Sequence, residues 1–142
     1  MNKFYTFLAA ALTMTAFPAL ADVKITDAYA RSTGASGAVF LILTNPDAAD
    51  DRLLSVTTDA AAMAMLHTST TTADGVVSMQ ELAQGVLVAA GGSHALARGG
   101  DHIMLMGLAR PIADGDTLRL TLTFERSAPV ALDVVVDNKR QK

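Results

Sequence analysis

The segment that decides the fold is 117–136, which reads TLRLTLTFERSAPVALDVVV. From Thr117 to Phe124, leucine or phenylalanine alternates with threonine or arginine. The alternation resumes from Val130 to Val136, after a Ser-Ala-Pro turn. A strand with one face on a core and one face in water has this period of two. The segment therefore predicts two strands, each with one buried face.

Further candidate strands precede this segment and are separated by turn signals. Asn45-Pro46-Asp47, Asp74-Gly75 and Asp114-Gly115 are such signals. The segment 38–44, AVFLILT, is apolar and β-branched and predicts a strand that is buried on both faces. About nine short strands, with a turn roughly every 8 to 12 residues, are typical of an antiparallel β-sandwich or barrel. We expect an all-β domain, an antiparallel β-sandwich or barrel.

The segment 60–65 is ambiguous between helix and strand. Its alanines and methionines favour a helix. Met63, Met65 and His67, however, alternate with Ala64 and Leu66 at the strand period. We predict a strand that ends near Ser69.

Composition limits the class of protein. The chain has 142 residues, 51% of them hydrophobic and 18% charged, which fits one domain with a core of useful size. The net charge of −3 and the lack of a long run of Lys or Arg argue against nucleic-acid binding. The acidic residues lie mostly in turns, and the sequence contains no G-x-S-x-G, H-E-x-x-H or phosphate-binding glycine loop. We therefore expect a protein that is not an enzyme.

The first 21 residues predict a secretory signal peptide. Lys3 supplies a positive n-region, Phe4–Phe17 is an apolar stretch, and Ala19-Leu20-Ala21 is a small-x-small cleavage site. The apolar stretch is shorter than the ~20 residues that span a bilayer. We expect a domain at 22–142 that is exported, to the periplasm in a Gram-negative source, and has no membrane span after cleavage. A lipid anchor is not expected, because lipid attachment needs a cysteine at the cleavage point.

Histidine and methionine are the remaining candidates for chemistry. The chain has no cysteine, which excludes a cysteine nucleophile, cysteine-ligated zinc and blue copper. His102 and Met104 stand at i and i+2 of a predicted strand, so their side chains share a face. His67 and Met79 flank a predicted hairpin turn, which brings them to similar height on adjacent strands. Imidazoles and thioethers form a soft, neutral donor set that suits Cu(I) better than zinc.

The segment 99–108, GGDHIMLMGL, resembles the signature of the PCuAC periplasmic copper chaperones. Arg110-Pro111 and the Gly-Asp-Thr-Leu at 115–118 continue the resemblance. Upstream, His67 and the segment 74–79, DGVVSM, are similar to the first histidine of the family and its Gly-Val-x-x-Met segment. The twelve positions from His67 to Met79 match the family spacing. The resemblance covers most of 22–136.

The resemblance implies an antiparallel, Greek-key β-sandwich of the cupredoxin-like type that binds one Cu(I) per chain. The implied ligands are His67, Met79, His102 and Met104. It also implies a periplasmic metallochaperone that carries copper for cytochrome c oxidase copper-centre assembly. The implied partners are a Sco-type thiol chaperone and the copper-centre subunit of the oxidase.

The sequence departs from the family at two positions. Thr68 stands where many members have methionine, and the interval from Met79 to His102 is one residue longer than usual. The tail 137–142 lacks the methionine and histidine that can form a second copper site in some members, so one site is expected.

Several side chains have competing interpretations. Met65 is the reserve ligand, Met106 is expected to pack, and His94 is expected to be solvated or structural. Asp101 either orients His102 or is a polar turn residue. Two other functions remain open, a copper-buffering or tolerance protein and a metal-free assembly or interaction module.

Overall fold

The computed structural model describes residues 22–141, and these form an all-β domain. Ten strands are present in the described part, one more than the approximate number predicted. The expected signal peptide at 1–21 lies outside the described residues. The strands are β1 (Lys24–Ser32), β2 (Gly37–Thr44), β3 (Asp51–Thr58), β4 (Ala61–Thr71), β5 (Val77–Glu81), β6 (Val86–Val88), β7 (Ser93–Leu96), β8 (Asp101–Leu108), β9 (Thr117–Phe124) and β10 (Val130–Val136).

The strands hydrogen-bond in the order β5-β4-β8-β2-β1-β10-β9-β3-β6, and β7 pairs with β2. All the pairings are antiparallel except that of β1 with β10. β3 and β4 are far apart in this order, yet they pack against each other. The sheet is thereby folded into a cupredoxin-like sandwich around one core, as expected from the sequence. Between 22 and 141, we find no helix of the length and apolarity needed to cross a bilayer.

The alternation in 117–136 places one face of β9 in the core. Leu118, Leu120, Leu122 and Phe124 are all buried there. On the outer face, Arg119 of β9 donates a hydrogen bond to Asp133 of β10. The strand prediction for this segment is therefore confirmed, including its buried face.

The prediction that 38–44 is buried on both faces holds in part. Val39, Leu41 and Leu43 point into the core and are completely buried. On the opposite face Phe40 is buried, but Ala38 and Ile42 are half-buried. The reason is that this outer face of β2 is not covered by a second sheet.

An aromatic pair and the C-terminal segment cover the outer face of β1 and β2 instead. The rings of Tyr29 and Phe40 lie 5.2 Å apart between centroids. The Arg140 guanidinium lies over the Tyr29 ring, 4.2 Å from its centroid. Arg140 also donates a hydrogen bond to Asp27, and the Asp137 amide donates to Ala30 O at 2.8 Å. Residues after β10 thus hold the aromatic pair in place.

Asp51, the first residue of β3, ties that strand to the turn between β9 and β10. Its carboxylate is buried and accepts hydrogen bonds from the backbone amides of Arg52, Arg126 and Ser127 at 2.7 to 2.9 Å. Burial alone would raise the pKa of Asp51. The hydrogen bonds from the Ser127 side chain and from the three amides outweigh burial and lower that pKa below its usual value.

Replacement of Asp51 by asparagine is expected to cost about 2 kcal/mol of unfolding free energy at neutral pH, because charge-assisted hydrogen bonds are lost. The stabilisation by a carboxyl whose folded pKa is lowered is complete above its unfolded pKa and is lost as pH falls through the folded pKa. The difference between wild type and Asp51→Asn should therefore shrink below about pH 4. Urea unfolding at pH 7 and pH 3 measures it, and equal differences at both pH values would contradict this account. Asp133→Asn, in an exposed ion pair, is the control and should cost less than about 1 kcal/mol.

Candidate metal centre

The antiparallel pairing of β4 with β8 brings the predicted histidines together. His67 lies directly opposite His102 in this ladder, and Met65 lies opposite Met104. Leu66 and Ile103, which alternate with them, face the core. The histidines and methionines therefore share the outer face of two adjacent strands.

The two imidazoles are neighbours on this face. Their ring centroids are 6.0 Å apart and their planes are inclined by 79°. His102 is only 4% exposed, and its Nδ1 lies 3.0 Å from Gly100 O. Since a carbonyl oxygen only accepts, Nδ1 of His102 carries the hydrogen and donates it. The lone pair of Nε2 is then available, which is the arrangement that metal-binding histidines usually have.

His67 holds a buried nitrogen that lacks a partner. Its Nδ1 is the one buried side-chain nitrogen or oxygen of the described residues without a hydrogen bond. Buried polar atoms are nearly always paired, so such an atom needs an explanation. An unpaired imidazole nitrogen can donate its lone pair to a metal ion. The residues present therefore fit a metal at this position.

Met79 reaches the same face from the edge strand β5. It pairs with Ser69 of β4, and its neighbour at i+2, Glu81, pairs with His67. Met79 is therefore diagonal to His67 on one face of the sheet. Its side chain is 55% exposed.

Three of the four predicted ligands line one surface cleft of about 410 Å³. They are Met79, His102 and Met104, and His67 lies beside His102. Thr68 takes the opposite strand orientation to His67, so a methionine at 68 would not face the cleft from that side. The other lining residues are Arg31, Ser32, Thr33, Ala38, Phe40, Ser69, Arg98 and Gly99.

The donor set formed by His67, Met79, His102 and Met104 is neutral and soft. Within 22–141, no three side chains among His, Cys, Asp and Glu come close enough to hold a metal. A metal bound between His67 and His102 would thus take its remaining side-chain ligands from methionine. Such a set holds a monovalent soft ion without requiring the loss of a proton from a thiol or carboxyl group.

Asp101 does not orient His102. Its carboxylate binds His94 instead, with 2.8 Å between Nε2 and Oδ2. The His94 side chain is thus structural, in line with the expectation. The group that orients His102 is the backbone carbonyl of Gly100. Every residue has a backbone carbonyl, so the sequence gives no indication of this contact.

Three side chains of the cleft are not proposed ligands, and the sequence alone did not distinguish them from ordinary packing or surface charge. Phe40 supports His102, with 6.3 Å between ring centroids. Arg31 and Arg98 line the cleft and make it positively charged. Arg110, by contrast, forms an exposed ion pair with Asp116 and is not among the lining residues. Phe40 lies in β2, Arg31 in β1 and Arg98 between β7 and β8, so only the fold brings them together.

The fold and the cleft define a class of protein, a cupredoxin-like β-sandwich with a cysteine-free cluster of histidine and methionine at its surface. Within that class, the chain belongs to the LpqE-like family, described as "Putative lipoprotein LpqE-like", whose model matches residues 23–136. It is 35% identical over 115 residues to "Putative lipoprotein Lxx21020" of Leifsonia xyli subsp. xyli (strain CTCB07), covering 79% of this chain and 69% of the relative. The 142 residues contain no cysteine that could carry a lipid.

Solved structures of the same fold are PCuAC domains, as the sequence resemblance led us to expect. The copper-bound PCuAC domain from PmoF2 superposes with a TM-score of 0.67 at 19% identity, over 84% of this chain and 95% of that domain. The solution structure of Cu(I)-DR1885 from Deinococcus radiodurans has a TM-score of 0.63 at 29% identity, over 81% of this chain and 79% of DR1885. The matching family model carries the LpqE-like name, so the PCuAC resemblance is supported by structure rather than by that model.

Proposed function

We propose that this chain is an exported copper chaperone that binds Cu(I) with His67, Met79, His102 and Met104 and passes it to an acceptor. The observation that carries the proposal is the pair of facing imidazoles, one fixed by Gly100 and one with a buried, unpaired Nδ1. The likeness to DR1885, whose solution structure is that of a Cu(I) form, supports the choice of ion. The lipoprotein names of the relatives support export.

Each residue of the proposed site has a separate task. The hydrogen bond to Gly100 and the contact with Phe40 fix the His102 ring, so that its Nε2 is presented in one orientation. Met104 shares the cleft with His102, and Met79 supplies a thioether from the neighbouring strand. All four donors are neutral, so they leave the charge of the ion uncancelled and favour Cu(I) over Cu(II). A thiolate of the acceptor, being charged and soft, binds Cu(I) more strongly than a thioether and can take the ion from this set.

The proposed destination is the copper centre of cytochrome c oxidase, reached in the periplasm with a Sco-type thiol protein as partner. Arg31 and Arg98 place positive charge around the cleft, which suits an acceptor that presents thiolates. A buffering or tolerance role uses the same ligands but needs no acceptor. Transfer of Cu(I) to a dithiol acceptor separates the two roles, because a buffer retains its copper while a chaperone releases it within the time of mixing.

Replacement of Met79 and Met104 together by leucine is expected to weaken Cu(I) binding at His67 and His102 so far that this site no longer competes with a Cu(I) chelator. Leucine keeps the side-chain volume but removes both thioethers, so the two imidazoles alone remain. The measurement is a titration of a chromogenic Cu(I) complex under reducing conditions with the wild type and with the double variant. Unchanged affinity in the variant would refute the site. Failure of the wild type to compete would favour a metal-free module instead.

A further inference from the structure

The outer face of β4 and β8 continues beyond the two histidines as a ladder of methionines. Met65 lies opposite Met104, and Met63 lies opposite Met106. Side chains directly opposite each other in an antiparallel pair have Cβ atoms about 5 Å apart. Four thioethers therefore occupy two adjacent rungs, next to the rung of His67 and His102.

These methionines do not fill the core. The core side of the same strands is taken by Ala64, Leu66, Ile103 and Leu105. Met63 is 52% exposed, and Met65, Met104 and Met106 are half-buried. Methionine is most often a gap-filler inside cores, and that role does not account for a row of it on an exposed sheet face.

The ladder has two chemically different ends. At the inner end Met104 lines the cleft with His102 and Met79, whereas Met63, Met65 and Met106 are not among the residues of that cleft. The rungs of Met63 and Met65 themselves carry thioethers only. The nearest carboxylate is that of Glu81 on β5, which lies opposite His67 and lines a neighbouring cleft with Met65. Thioethers are uncharged, hold no proton to lose, and select soft monovalent ions such as Cu(I). The three rotatable bonds of each methionine let several sulfur atoms converge on one ion.

We propose that Met63, Met65 and Met106 form a second, thioether-only site for a monovalent soft ion, at the solvent-exposed end of the ladder. Met65 of that site lies directly opposite Met104, which belongs to the proposed histidine site. Exchange of one thioether for another along the rungs moves the ion between the sites without a change in its charge. Binding at the outer site does not depend on the proposed function, and only the passage to His67 and His102 rests on it.

The test uses the full chain labelled with 13C at the methionine methyl groups. Each methionine then gives its own NMR signal, and Ag(I) serves as a probe that does not change its oxidation state. We expect the wild type to bind two Ag(I) ions. One should shift the signals of Met79 and Met104, and the other those of Met63, Met65 and Met106.

Two double variants separate the sites. Met63→Leu with Met106→Leu should bind one Ag(I) and keep the shifts of Met79 and Met104. His67→Ala with His102→Ala should keep the shifts of Met63, Met65 and Met106. Unchanged stoichiometry in the leucine variant, or a wild type in which the signals of Met63 and Met106 never shift, would overturn the second site. Neither result would affect the proposed histidine site, which fails only if Met79 and Met104 do not respond. A urea unfolding curve confirms that each variant is folded.

Discussion

Replacement of His102 by alanine is expected to weaken Cu(I) binding by at least about 100-fold. Loss of a residue that merely orients a metal ligand typically costs 10- to 100-fold in affinity, and His102 is itself the proposed ligand. Its ring is also the best fixed in the cleft, held by Gly100 and packed near Phe40. No side chain of comparable chemistry takes its place, because the nearest imidazole, that of His67, is already in the proposed donor set.

His94→Ala is the matched control for this experiment. His94 also lies on a strand, but it binds Asp101 and lines no part of the cleft that holds His102. Its removal should leave the Cu(I) affinity within about two-fold of wild type, as expected for a residue that shares no partner with the site. Competition with a chelator under reducing conditions measures both variants. Equal losses in the two would show that the histidines act on stability in general and not as ligands.

The second large effect concerns stability. Gly85 precedes β6 with φ at 79°, and a Cβ atom at this position would lie 2.1 Å from the carbonyl oxygen of Leu53. The backbone of β3 cannot yield as a flexible side chain could, since Leu53 pairs with both Val86 and Phe124. Gly85→Ala is therefore expected to cost about 3 kcal/mol or more, of which roughly 1 to 2 kcal/mol comes from the left-handed conformation alone.

Gly75→Ala separates the two contributions. Gly75 has the same φ of 79°, but a Cβ atom there would meet nothing within 4 Å. Its substitution should cost only the roughly 1 to 2 kcal/mol of the backbone conformation. Urea unfolding of both variants gives the comparison. A cost for Gly85→Ala no greater than that for Gly75→Ala would contradict the steric argument.

The sequence was sufficient for the strands and for the identity of the candidate donors. Alternation in 117–136 depends on neighbours two residues apart, and the shared face of His102 and Met104 depends on the same short range. The segment 60–65 followed its strand period rather than the helix propensity of alanine, because the pairing of β4 with β8 outweighs local preference.

The geometry of the site depends on contacts that are distant in the sequence. His67 and His102 lie opposite each other because of the register between β4 and β8. A slip of one residue would turn one of the two side chains towards the core. Gly100 orients His102 through its backbone carbonyl, which is independent of residue type. Arg140 contacts Tyr29 although more than a hundred residues separate them in the sequence. None of these three contacts produces a local sequence pattern from which it could be predicted.

The position of Met79 has a consequence for how fast an ion leaves. β5 is the last strand in the sheet order, it is hydrogen-bonded to β4 alone, and all five of its residues are exposed. Such an edge opens locally at a free-energy cost far below that of global unfolding. His67 and His102, by contrast, lie in the next ladder inward, between β4 and β8. Fraying of a single hairpin would therefore withdraw one proposed donor while the imidazoles stay fixed. If the proposed site binds its ion, we expect the lifetime of that ion to be set by a local opening rate rather than by the stability of the domain.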